Sequence, residues 1–276
     1  MTSLMTMLGF PFFQHAILAG ILISIALGIV GTYVVVKRIS FIAGSVAHAA
    51  FGGVGMGYYF GVNPLISAMG FGVICAWMMG VIRHWFSQDE DALIGAIWAV
   101  GMAVGIFFIF LTPTIASDLF GYLFGNILLI STQDLWLLLA LDGLILAVTM
   151  VLYRVLQAVT FDEEFSTVIN VPVLVVNLIL LTLIALTAVL LIRAVGIILV
   201  IALLTMPSAA AKNWCNSLKS MQIVSVMIAM ASTTAGITLG YVYNVPASPV
   251  IIFGVAGLYI LSLFKFRRFK LHSEVQ

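Results

Sequence analysis

Charged side chains are scarce in this sequence: Asp, Glu, Lys and Arg make up 8% of 276 residues, against about a quarter in soluble domains. That scarcity excludes a molecule surrounded by water on all sides. Cysteine is equally scarce. Cys75 in an apolar run and Cys215 in a polar loop exclude both a disulfide framework and a thiolate metal pattern, and both are expected as free thiols. No G-x-x-x-x-G-K-[ST] stretch occurs, so the chain does not cradle nucleotide phosphates by the usual loop. No loop is long enough for a separate soluble domain. The first apolar run has no small-residue cleavage site before it and reads as a span, not as a cleavable signal.

What is present instead is apolar length. Hydrophobic residues make up 63% of the chain, its mean hydropathy is +1.25, and its apolar runs of about 20 residues match a bilayer core about 30 Å thick. The expected fold is all-α, a polytopic transmembrane helical bundle of about 8–9 spans in one domain covering 1–276. Nine spans can be drawn, at 12–36, 41–60, 63–82, 92–111, 134–153, 173–191, 195–211, 220–243 and 247–264. An odd number puts the termini on opposite sides. With the N-terminus outside, Lys37, Arg38, Arg83, Arg154, Lys212, Lys219, Lys265, Arg267, Arg268 and Lys270 all face the cytoplasm and only Arg193 faces out, as the positive-inside rule requires.

Polar residues inside such a chain are candidates for function by default. His48 lies mid-span, where an imidazole reads either as a transition-metal ligand on a path or as a packing histidine with a satisfied ring. Ser45, three residues earlier, shares its helix face and is placed to hold the ring by a hydrogen bond. Asp142, eight residues into the fifth span, reads either as a path carboxylate or as an acid fixing helix packing. Asp118 and Asp134 belong to the outer face, where they attract an entering cation or serve as solvated loop acids. Arg193 is expected to snorkel or to cap the preceding helix. Gly44, Gly52, Gly53, Gly55 and Gly57 in the second span suit close backbone approach between helices or a break in the helix. Pro207 suits a kink in the seventh span. Between Leu111 and Gln133 the chain is too short for a spanning hairpin and reads as an outer-face or re-entrant helix.

The largest polar island is FDEEFSTVINVP, Phe161 to Pro172, on the cytoplasmic side. Asp162, Glu163 and Glu164 open a short helix, where negative charge opposes the helix dipole. Phe161 and Phe165, four residues apart, are expected to form one apolar knob suited to a groove in a soluble partner. Asn170, which tolerates the left-handed conformation, and Pro172 supply a stop.

Five stretches, KRISFIAGSVAHAAFGGVGMG (37–57), DLFGYLFGNILLISTQDL (118–135), FDEEFSTVINVP (161–172), VGIILVIALLTMPSAAAK (195–212) and NVPASPVII (244–252), resemble the membrane permease of zinc- and manganese-type metal ABC importers, in the same order across nearly the full chain. The resemblance implies a bundle similar to the vitamin B12 importer permease and used as a dimer, of two copies or with a related permease. It implies a cytoplasmic ATP-binding-cassette ATPase and an extracytoplasmic metal-binding protein as partners, in a prokaryotic inner or plasma membrane, with no nucleic acid involved. ATP is then used by the separate subunit, a divalent metal is cargo rather than a stably bound cofactor, and the chain itself is no enzyme. Phe161, Asp162, Glu163, Glu164, Phe165, Asn170 and Pro172 would form the coupling segment seated in the ATPase.

One departure stands out. Members of that family usually carry an aspartate four residues before the histidine of the second span, and here that place is Gly44. Asp142 is one candidate replacement; a weaker site, another metal or a different cargo are the others. The expected mechanism is alternating access, with cation delivery near Asp118 to Asp134 and ATP-driven movement of the Phe161 to Pro172 segment. A stand-alone cation channel or ion-coupled carrier would also explain His48 and Asp142, and a membrane scaffold would explain the small-residue packing.

Overall fold

The computed structural model describes residues 9–85, 90–112 and 119–273. In chain order the helices are α1 (Pro11–Val36), α2 (Ser40–Ala49), α3 (Phe51–Phe60), α4 (Pro64–Trp85), α5 (Glu90–Leu111), α6 (Leu119–Phe124), α7 (Thr132–Val151), α8 (Tyr153–Phe161), α9 (Glu163–Val168), α10 (Val173–Val195), α11 (Ile197–Lys212), α12 (Leu218–Tyr243) and α13 (Ala247–Ser273), with a 3-10 turn at Ile127–Leu129. A bilayer offers the backbone no hydrogen-bond partner, so each segment satisfies itself as a helix.

Seven of these are long and apolar enough to cross a membrane: α1, α4, α5, α7, α10, α12 and α13. The count falls short of the nine spans drawn from the sequence because two take a shorter form. The 41–60 segment is divided into α2 and α3 at Ala50, which keeps near-helical torsions (φ −58°, ψ −19°), so the two halves follow one another as an interrupted span. The 195–211 segment is α11, of 16 residues, which runs through Pro207 without ending. The 112–131 region holds only the six-residue α6 and the 3-10 turn among its described residues, too short for a span.

Apolar side chains gain little from leaving lipid for a protein interior, so membrane helices associate through close backbone packing and interhelical hydrogen bonds. Helix α1 is the central example. A Cβ added at Gly28 would come within 2.5 Å of the Val226 backbone nitrogen on α12. On the same interface Ser24 and Thr233 share a hydrogen bond of 2.7 Å, and Ser208 and Ser225 join α11 to α12 at 2.7 Å. The glycine-rich second span behaves as its composition predicts. A Cβ at Gly55 would stand 2.7 Å from the Gly105 Cα on α5, and one at Gly53 would stand 2.6 Å from the Ala68 Cα on α4.

At the opposite end of the bundle from α9, Gly125 (φ 67°) and Gly196 (φ 87°) cross. A Cβ on Gly125 would meet the Gly196 nitrogen at 2.2 Å, and one on Gly196 would meet the Leu123 carbonyl oxygen at 2.4 Å. This clasp pins the segment after α6 to the turn between α10 and α11. Gly125→Ala combines an unfavourable torsion with a backbone collision and should cost about 2 kcal/mol or more. Gly143→Ala, with no atom within 4 Å of the new Cβ, should stay within about 0.5 kcal/mol of the parent. Thermal unfolding of the detergent-solubilised proteins distinguishes the two.

Candidate functional site

The candidate site has two parts, the polar segment at the end of α8 and the Ser45–His48 face of α2. Helix α7 alone is 20 residues, about 30 Å at 1.5 Å per residue, and so accounts for the hydrocarbon core. Helix α8 follows after a break at Leu152 and carries the chain past that core. Asp162 then adopts extended torsions (φ −150°, ψ 101°) and accepts a hydrogen bond of 2.8 Å from the Phe165 N–H, capping α9. Asn170 is left-handed (φ 60°), and the Val171 N–H bonds back to the Ser166 carbonyl at 2.9 Å, the closing bond of a Schellman turn. The sequence expectation of a short helix opened by acids and stopped at Asn170 and Pro172 matches this geometry.

The aromatic knob is built differently from expectation. Phe161 is the last residue of α8, not part of α9, because Asp162 interrupts the helix between it and Phe165. The four-residue spacing therefore does not place the two rings on one helical face. Both are nevertheless exposed, at 62% and 57%, with Val168 at 78% and Ile169 at 50% beside them. Four large apolar side chains lie on a segment beyond the span, with Asp162 and Glu164 also exposed among them.

Glu163 points the other way. Its Oε1 accepts a 2.6 Å hydrogen bond from Lys37 Nζ. The same ammonium donates to the Val159 carbonyl at 3.0 Å and to Asn177 Oδ1 at 3.0 Å. The lysine side chain is 5% exposed and the glutamate 41%. Burial pulls the Lys37 pKa below its ordinary value, opposed by the hydrogen bond and charge of Glu163. For Glu163 burial pushes upward, but the hydrogen bond and charge of Lys37, the charge of Arg83 and a hydrogen bond from Asn177 together outweigh it and leave the carboxyl below its ordinary value. Both partners fall to the same side because the ammonium is the more deeply buried. A cavity of about 150 Å³ opens beside the pair, lined by Lys37, Arg83, His84, Glu163 and Asn177 among others.

On α2, the His48 ring stacks on Trp98 of α5, with centroids 4.7 Å apart and planes at 28°. Trp98 is itself held by a 3.4 Å hydrogen bond from its Nε1 to Met102 Sδ. The expected Ser45–His48 hydrogen bond is not formed, and Ser45 Oγ and His48 Nδ1 are both buried without a partner; stacking orients the ring instead. At Gly44 an added Cβ would lie 2.4 Å from Ile201 Cδ1 on α11. The space an aspartate would need is taken by isoleucine.

Asp142 is 4% exposed and its Oδ2 has no partner. It sits on α7, which packs chiefly against α1, whereas α2 packs chiefly against α5 and α10, and the structure does not bring Asp142 to His48. Asp134 is not the solvated loop acid of the second of its two sequence readings. It is 6% exposed; its Oδ2 accepts from the Ser131 N–H at 3.0 Å and hydroxyl at 2.7 Å, and its Oδ1 stands 3.3 Å from Arg193. Ser131 and Asp134 form a capping box at the start of α7, which the spacing S-x-x-D could have announced. Arg193 accordingly spends its charge on Asp134. Asp118 lies outside the described residues. Among the described residues no three His, Cys, Asp or Glu side chains converge as a metal cage.

The ABC 3 transport family profile matches residues 9–266. The chain belongs to that family. An uncharacterized membrane protein of Synechocystis sp. is 41% identical over 261 residues, covering 95% of this chain and 92% of its own. A manganese transport system membrane protein of Halalkalibacterium halodurans is 31% identical over 258 residues, covering 94% of this chain and 88% of its own. Among solved structures, PsaBC from Streptococcus pneumoniae in complex with Fab superposes with a TM-score of 0.87 at 30% identity, covering 96% of this chain and 97% of that one. This member of the ABC 3 transport family thus shares its fold along nearly its whole length with those relatives.

Restoring the family's usual aspartate tests the packing at Gly44 directly. Gly44→Asp alone should lower the yield of folded protein, because Ile201 obstructs it. Gly44→Asp with Ile201→Ala should recover most of that loss, by fluorescence-detected gel filtration. Equal yields for the two variants would show that Ile201 yields freely.

Proposed function

We propose that this chain is the membrane-spanning permease of an ABC importer that moves a divalent transition-metal cation into the cytoplasm. Manganese or zinc is the first candidate and ferrous iron the next. It works in a pair, with a second copy or a related permease, in a prokaryotic inner or plasma membrane. The N-terminus is outside and the C-terminus cytoplasmic, as the positive-inside rule favours. A separate ATPase burns the ATP, and an extracytoplasmic metal-binding protein delivers the cation. The manganese relative and the PsaBC likeness support this reading.

The observation that carries it is the capped helix α9, which offers Phe165, Val168 and Ile169 beyond the end of the spans. Exposed apolar residues on a segment past the hydrocarbon core suit a groove in a soluble protein better than they suit water. On this reading ATP binding and hydrolysis press on α9 and switch which side of the bundle is open. His48 is the residue on α2 assigned to touch the passing cation. A single imidazole gives the weak, exchangeable contact that a transit site needs. Asp142 is a second candidate along the path.

Purification of the tagged chain from its native membrane should bring a soluble ATPase with it. Phe165→Asp should reduce that recovery by about thirtyfold, the equivalent of about 2 kcal/mol for removing an interface anchor. His48→Ala should leave recovery unchanged and abolish uptake of Mn²⁺ and Zn²⁺ by the assembled complex. Isolation of the chain alone, together with cation flux in vesicles lacking ATP, would favour the stand-alone channel or carrier instead.

A further inference from the structure

The Lys37 ammonium has three donors and uses each on a different element: the Val159 carbonyl in the last turn of α8, Glu163 at the first position of α9, and Asn177 in the second turn of α10. Lys37 itself is the residue at which α1 ends. Four helix ends therefore meet at one buried side chain. The Val159 carbonyl belongs to the set that a helix C-terminus leaves unpaired, so the lysine also caps α8.

The chain after Lys37 has little slack. Arg38 holds a left-handed torsion (φ 58°), the Ile39 N–H bonds back to the Val34 carbonyl at 3.0 Å, and α2 begins at Ser40. A non-glycine residue in that region carries a torsional cost, which a firm anchor on either side sustains. Helix α2 then runs as one rigid rod to His48, about 12 Å further along at 1.5 Å per residue. By contrast α9 touches the body of the bundle mainly through its neighbours α8 and α10. Lys37 connects it to the helix pair that carries the histidine.

We propose that Lys37 is a positioning residue that couples the docking helix α9 to α2, so that displacement of α9 is delivered through the Lys37–Arg38 turn to the histidine-bearing helix. The inference rests on the docking reading of α9. Stability alone does not account for the arrangement, since an ion pair that buries its lysine against a half-exposed glutamate can often be exchanged for apolar groups at no loss. What the lysine ammonium supplies that an apolar contact does not is a directional link: three hydrogen bonds of 2.6 to 3.0 Å, one of them to Glu163, that transmit a pull as well as a push.

The test uses the whole complex, permease with its co-purified ATPase and binding protein, in liposomes, reading Mn²⁺ accumulated per ATP hydrolysed. Lys37→Met keeps the stem and removes every donor. The variant is expected to retain the ATPase and to hydrolyse ATP while Mn²⁺ moved per ATP falls about tenfold or more. Lys37→Arg, which keeps charge and donors, should recover most of it. If Lys37→Met does not accumulate, Lys37→Met combined with Glu163→Met, which leaves no unpaired buried charge, is measured in the same way. Unchanged transport per ATP overturns the proposal, as does a parallel loss of ATPase binding and transport, which would make Lys37 only a prop for α9. Failure of the docking reading looks different: Phe165→Asp would then leave ATPase recovery untouched while Lys37→Met says nothing against it.

Discussion

In hydrocarbon the hydrophobic effect does not press helices together, and that single constraint organises this molecule. Its helices adhere where glycine removes the side chain between two backbones, as at Gly28 on α12, Gly55 on α5 and Gly125 on Gly196. Such contacts are rigid at short range and leave no room for a methyl group. Motion in a bundle of this kind is therefore motion of whole helices, relayed at their ends, and not deformation of a soft interior.

The few polar side chains divide between the two ends in a manner that fits this picture. At one end Asp134 is spent on the first turn of α7 and on Arg193, and the crossed glycines lock the neighbouring turn. At the other, Lys37 joins four helix ends, and the adjoining α9 turns apolar residues outward. One end is held by backbone contact and a cap; the other is held by a lysine and presents exposed apolar side chains. Between them His48 is oriented by an aromatic stack, which leaves its Nδ1 uncommitted.

The spans and the docking helix were legible in the sequence because their determinants are local. Hydropathy sets the former; Asp162 as a cap and Asn170 as a left-handed stop set the latter. Where sequence expectation and structure differ, the local signal is weak, unused or absent. An aspartate that caps a helix must interrupt the chain before it, which removes Phe161 from α9. Ser131 and Asp134 spell a capping box, a local signal that neither the entry-path nor the loop-acid reading of Asp134 uses. The glycines of the second span signal a break in the helix but not its place at Ala50. The Lys37–Glu163 pair spans 126 positions in sequence, and only the shared side of the membrane hinted that the two could meet. The occupation of the Gly44 space by Ile201 comes from a helix more than 150 residues away and was invisible.

The central claim is that this chain is a path moved by a separate motor through α9. The most direct test is Mn²⁺ and Zn²⁺ uptake into sealed liposomes holding the wild-type permease with its ATPase and binding protein, with and without ATP on the ATPase side. The account predicts accumulation that requires ATP and all three components. Equal influx without ATP, or with the permease alone, would contradict it.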